Sequence, residues 1–95
     1  MEKFVIKRLY RDRENFDECY LKGILYDYKN HDGWSWNDYS SDPLEADAID
    51  KETADEIMLY VEKHSSFVTE NCSISFSCEN LHELRGKITG KKFGF

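Results

Sequence analysis

Lys51-Glu-Thr-Ala-Asp-Glu-Ile-Met-Leu-Tyr-Val-Glu-Lys-His64 and Cys72-Ser-Ile-Ser-Phe-Ser-Cys78 decide the fold between them. In the first, Ala54, Ile57, Met58 and Val61 fall at i, i+3, i+4 and i+7, the apolar stripe of an amphipathic helix. Asp50 stands in the capping position. Glu52, Asp55 and Glu56 lie near the helix's positive end, and Lys63 and His64 near its negative end. The second stretch has period two, with Cys72, Ile74, Phe76 and Cys78 on one face and Ser73, Ser75 and Ser77 on the other. A strand that alternates this sharply packs one side on a core and shows the other to water, the antiparallel habit. A one-striped helix and a one-faced strand bury each other's apolar sides, which is α+β architecture.

The flanking sequence supplies more strands. Phe4 to Tyr10 is rich in β-formers and reads as a first strand. Arg11 to Asp17 reads as a polar turn with Phe16 tucked back. Cys19 to Tyr28 follows as a second strand, with Cys19, Leu21, Gly23 and Leu25 on one face and Tyr20, Lys22, Ile24, Tyr26 and Tyr28 on the other. Gly23 within it marks a bulge or a close backbone approach, and the short separation favours an antiparallel hairpin. Lys29 to Gly33 is a turn ending in Asp-Gly. Trp34 to Trp36 is a short third strand with both indoles on one side. Asp42-Pro43 begins a helical turn through Leu44 and Ala46. Beyond the helix, Phe67 to Thr69 extends the Cys72–Cys78 strand or forms a separate short one, and a last strand falls around Lys87 to Thr89. The expected order is β-β-(β)-α-β-(β). It describes one main helix on a three- to five-stranded, mostly antiparallel sheet, in a single domain spanning residues 1–95.

At 95 residues, with 40% hydrophobic and 15% aromatic side chains, the composition is that of a globular chain. A domain of this size buries only about 60% of its unfolded surface, which leaves one thin core. No apolar run approaches a membrane span and the N-terminus lacks the apolar segment of a signal peptide, so the cytoplasm is the expected compartment. Cys19, Cys72 and Cys78 form an odd set with no C-x-x-C and are expected as reduced, mostly buried packing thiols. The net charge of −6 disfavours non-specific nucleic-acid binding. The charge is also segregated. Ten carboxylates lie between Asp27 and Glu56, whereas Lys3, Lys7, Arg8, Arg11 and Arg13 at the start and Arg85, Lys87, Lys91 and Lys92 at the finish make both ends basic.

His31, His64 and His82 have no metal-ligand spacing to one another or to the cysteines. There is no G-x-S-x-G, dinucleotide fingerprint or P-loop. No cofactor, metal or catalytic residue is expected, and the chain is not expected to be an enzyme. The segment that stands out is Tyr26 to Tyr39, where Tyr26, Tyr28, Trp34, Trp36 and Tyr39 interleave with Asp27, Asp32 and Asp38. Some of these rings complete the thin core. Five nevertheless exceed what one small core face needs, and Tyr and Trp are the residues enriched at interface hot spots. With Asp42, Glu45 and Asp47 just beyond, the segment forms an acidic, aromatic face suited to a protein with a basic surface.

The run FVIKR…YLKGILYD…WSWNDYSSDPLEADAIDKETADEIMLYVEKH resembles small acidic proteins of phages and mobile elements, in which a hairpin and a Trp-containing segment lead into one helix. The resemblance covers roughly the first two-thirds of the chain. It implies a compact inhibitor of the anti-CRISPR or toxin-immunity type, occupying a basic groove on a nucleic-acid-handling protein in the manner of a nucleic-acid mimic. Asp27, Asp32, Asp38, Asp42, Glu45 and Asp47 would then supply charge, and Trp34, Trp36 and Tyr39 the anchors. Other readings are a nucleic-acid-binding module that uses the basic ends, and a small assembly protein that self-associates through sheet edges. A monomer or a homodimer is compatible with the sequence.

Overall fold

The computed structural model of the chain describes residues 2–27, 33–64 and 66–85. In chain order they form β1 (Phe4–Asp12), β2 (Phe16–Lys22), β3 (Leu25–Asp27), β4 (Gly33–Ser35), β5 (Asp38–Ser40), α1 (Lys51–His64), β6 (Phe67–Val68) and β7 (Cys72–Asn80). A short helix, α2, follows over residues 81–85. Five strands make one antiparallel sheet in the order β5-β2-β1-β7-β6, and β3 and β4 pair separately as a two-stranded ribbon. The architecture is α+β, as the sequence indicated. The Lys87–Thr89 strand, Tyr28, Asp32 and most of the Lys29–Gly33 turn lie outside the described residues.

The central pair is β1 with β7, in register over nine residues from Phe4↔Asn80 to Asp12↔Cys72. Side chains facing each other across it share a face. Ile6, Arg8 and Tyr10 therefore lie with Cys78, Phe76 and Ile74, on the side that carries α1. Helix α1 sets its stripe on that side, where Ile6, Leu21, Ala54, Ile57 and Val61 are fully buried. Asp50 caps the helix by accepting the Thr53 N–H at 2.9 Å, which pulls its carboxyl below the usual range.

A second, smaller cluster lies on the opposite face. There Val5, Tyr20 and Leu81 are buried, with Ala46 and Leu84 against them. Leu81 and Leu84 belong to α2, where the sequence reading had placed no element. Asn80 caps this turn by accepting the Glu83 N–H at 3.2 Å, and the Leu81 N–H donates to the Lys3 carbonyl at 2.8 Å.

Three local expectations are corrected by this arrangement. The run from Cys19 to Tyr28 is not one strand. Gly23 takes φ +70°, a left-handed turn that ends β2 and sends β3 into its own ribbon; of the two roles expected for it, it is no bulge but does make the close approach, with the Asn37 side chain against its Cα. Phe16 is not tucked back but stands in β2, 58% exposed, under the Arg11 guanidinium 5.6 Å from its ring. Asp42-Pro43 starts only a turn. The Asp42 carboxylate accepts the Leu44 N–H at 2.9 Å and its carbonyl accepts the Glu45 N–H at 3.0 Å, after which the chain runs on extended to Ile49.

The β1–β2 hairpin is closed by Asp12. Its carboxylate accepts the Tyr10 hydroxyl at 2.7 Å and the Glu14 and Asn15 N–H groups at 2.9 and 2.6 Å. These donors hold the Asp12 carboxyl down at about 2, and the bond to that carboxylate, followed by one with the Cys72 thiol, holds the Tyr10 hydroxyl up at about 12.

Candidate functional site

The segment from Tyr26 to Tyr39 is divided by the fold into two clusters. In the first, the β3–β4 ribbon brings Tyr26 opposite Trp34, and their rings meet edge to face at 5.2 Å and 76°. The ribbon lies against the middle of α1. Gly33 is buried so close to Tyr60 that a Cβ there would come within 2.5 Å of the ring. Between ribbon and helix runs an open groove of about 620 Å³, lined by Tyr26, Gly33, Trp34, Glu56, Leu59 and Tyr60. Its apolar lining is exposed: Leu59 is 69% accessible and Tyr26 43%. The helix beside it presents Glu52, Asp55, Glu56 and Glu62 to solvent.

The second cluster lies on the α1 side of the sheet, beyond the helix. Trp36 meets Phe76 edge-on at 5.9 Å, and its indole N–H donates to the Tyr39 hydroxyl at 2.8 Å. Arg8 stands between Tyr39 and Tyr10, with its guanidinium 5.3 and 5.8 Å from their ring centres. Trp34 and Trp36 are both half-buried against the core around α1, so each indole has a packing role as well as an exposed edge.

The predicted carboxylates are largely engaged in local structure. Asp38 accepts the Tyr39 N–H at 2.8 Å, Glu45 accepts the Ser40 hydroxyl at 3.3 Å, and Asp42 holds the turn described above. All three remain exposed. Asp47 is half-buried, and its carboxylate accepts the Ile24 N–H at 2.7 Å, which fixes the corner after Gly23. Asp27 pairs through its backbone with Gly33. Leu59 and Glu56, central to the groove, were not singled out from the sequence. The signal available was a leucine lying off the stripe of an otherwise acidic helix.

The cysteines depart from the expected burial. Only Cys19 is buried. There, desolvation pushes the thiol up against the opposing pull of Arg8. Cys72 is half-buried. Cys78 shares the face of Phe76 but is exposed, on a stretch of β7 that β6 does not cover.

Of the basic ends, Lys3 and Arg85 come together with His82 around one pocket, while Lys7, Arg8 and Arg11 are engaged elsewhere on the sheet. Lys7 is engaged with Glu79 at 3.1 Å and Glu18 at 4.0 Å. Arg8 and Arg11 stack on rings on opposite faces of the sheet. No group of three or more His, Cys, Asp or Glu side chains among the described residues is arranged to hold a metal ion. No described helix is long and apolar enough to cross a membrane. Comparison with protein-family models, curated proteins and solved structures finds no match for this chain.

Proposed function

We propose that the chain is a protein-binding inhibitor of the anti-CRISPR type, covering a basic surface of a nucleic-acid-handling protein with the face built by α1 and the β3–β4 ribbon. The observation that carries this reading is the groove. Leu59, 69% exposed, stands beside the Tyr26–Trp34 pair with Glu56 at the same rim. An apolar and aromatic centre with the Glu56 carboxylate at its side, on a helix that also exposes Glu52 and Glu62, has the make-up of a hot spot with a polar rim and suits a basic partner. Of the expected anchors Trp34 stays at the centre, Trp36 and Tyr39 leave it, and Tyr26 and Leu59 join it. Asp38, Asp42 and Glu45 become outlying charges that act on association rate.

Leu59 and Tyr26 are exposed, so their replacement tests the interface without opening the core. The immobilised full chain is used to capture its partner from lysate, and the same capture is repeated with Leu59→Arg and with Tyr26→Ala, both checked for a wild-type circular dichroism spectrum. The expected result is one basic protein retained by the wild type and lost with Leu59→Arg. Equal retention by Leu59→Arg overturns the reading. Steeply salt-dependent binding of bare DNA or RNA favours the nucleic-acid module instead.

A further inference from the structure

Strand β7 has one satisfied edge and one open edge. Phe4 exchanges both backbone hydrogen bonds with Ile49, at 2.8 and 2.9 Å, so the even-numbered residues of β1 direct their N–H and C=O groups away from β7. Val5, Lys7 and Leu9 therefore bond to Glu79, Ser77 and Ser75, and the backbone groups of Phe76 and Cys78 point outward. β6 covers the outer edge only at Ser73 and Ile74. Among the described residues, no strand pairs with it from Ser75 onward. Exposed edges are ordinarily guarded by lysine, proline or a bulge. The stretch Ser75-Phe-Ser-Cys-Glu-Asn80 has none of these, and its one charge, Glu79, is already paired with Lys7 at 3.1 Å.

We propose that this edge pairs with the same edge of a second copy of the chain, giving a two-fold dimer with one continuous sheet. Three features favour a second copy over another strand. The edge's one carboxylate, Glu79, is paired with Lys7 and falls opposite Ser75 of the second copy, so antiparallel self-pairing sets no like charges face to face. Its inner positions, Ser75 and Ser77, are small and permit close approach. The Ser77 hydroxyl is buried and has no hydrogen-bond partner among the described residues. A two-fold axis at Ser77 sets Phe76 opposite Cys78 of the second copy as a hydrogen-bonded pair. It also sets Ser77 opposite Ser77 in the closely spaced position, about 4.5 Å between Cα atoms, where one serine's hydroxyl reaches the other after a χ1 rotation. The edge spans only six residues, so the dimer is a weak one, forming at roughly 10 µM to 1 mM. This inference concerns a different surface from the groove and stands or falls apart from it.

The test is sedimentation velocity of the full chain across that range, together with two variants. Cys78→Pro removes an outward N–H while leaving the β1 ladder intact, a tolerated edge position for proline. Ser77→Cys, in a Cys72→Ser, Cys78→Ser background, reports the register through mild oxidation. The expected results are a concentration-dependent dimer, at least a tenfold weaker association for Cys78→Pro with an unchanged circular dichroism spectrum, and a disulfide dimer for Ser77→Cys but not for Asp38→Cys at the opposite edge. A strict monomer throughout, or a dimer that neither Cys78→Pro weakens nor Ser77→Cys cross-links, overturns the proposal.

Discussion

Asp12 and Tyr10 form the most strongly perturbed pair in the molecule, at the end of the β1–β2 hairpin. Asp12 is held down at about 2, first by the Tyr10 hydroxyl and then by two backbone donors, and Tyr10 is raised to about 12. A depressed carboxyl favours folding above its unfolded value near 3.9 and loses that contribution as the pH falls towards 2. A raised phenol favours folding below about 10 and loses that contribution as the pH rises through about 12. Ultraviolet titration is expected to show a tyrosine ionising near 12, shifted downward in Asp12→Asn and absent in Tyr10→Phe. Two glycines carry strain-free roles that a side chain cannot take over. Gly33→Ala drives a methyl into Tyr60, and Gly23→Ala places a Cβ on the Asn37 amide at a φ that costs an L-residue about 1–2 kcal/mol. Both are expected to lower the midpoint of urea unfolding. Tyr60→Ala is expected to recover part of the Gly33→Ala loss and none of the Gly23→Ala loss.

At the scale of elements, helix α1 and strand β7 were legible because their periods, 3.6 and 2, run unbroken over many residues. Ile57 illustrates the consequence. It is fully buried at the centre of the stripe, and Ile57→Ala is expected to cost about 3 kcal/mol in chemical denaturation. The elements that escaped were those in which a short local signal overrode a longer pattern. Alternation continues in phase from Cys19 to Tyr28, yet the left-handed turn at Gly23 cuts the strand and the Asp47 carboxylate fixes the break from 23 residues downstream. Helix α2 occupies only residues 81–85, too few for periodicity to reveal, and its cue was the pair Asn80 and Glu83. Cys78 was assigned to the correct face and the wrong environment, because alternation reports direction and not what covers the strand. Asp47→Ala is expected to release the Ile24 N–H and loosen the corner, seen as faster hydrogen exchange at Ile24 with little change in α1.

For the whole molecule, the thin core explains why the aromatic surplus could be counted in the sequence but not located. Nine hydrophobic residues are buried among the described ones, and the half-buried rings of Trp34, Trp36, Tyr60 and Phe76 complete the packing around α1. The docking face is then what remains beside them: Leu59, Tyr26 and the exposed edge of Trp34, within the acidic surround of α1. Raising the salt concentration is expected to slow association with the partner while leaving dissociation nearly unchanged, because the charges steer and the rings anchor. Replacing Asp42 and Glu45 together with Asn and Gln is expected to act on the same rate.

The most direct measurement is the affinity of the captured basic protein for wild type and for Leu59→Arg, by calorimetry at one salt concentration. Loss of a central anchor is expected to weaken binding by about 2 kcal/mol or more, roughly 30-fold, with the unfolding midpoint unchanged. An affinity for Leu59→Arg equal to that of the wild type would contradict the assignment of this face.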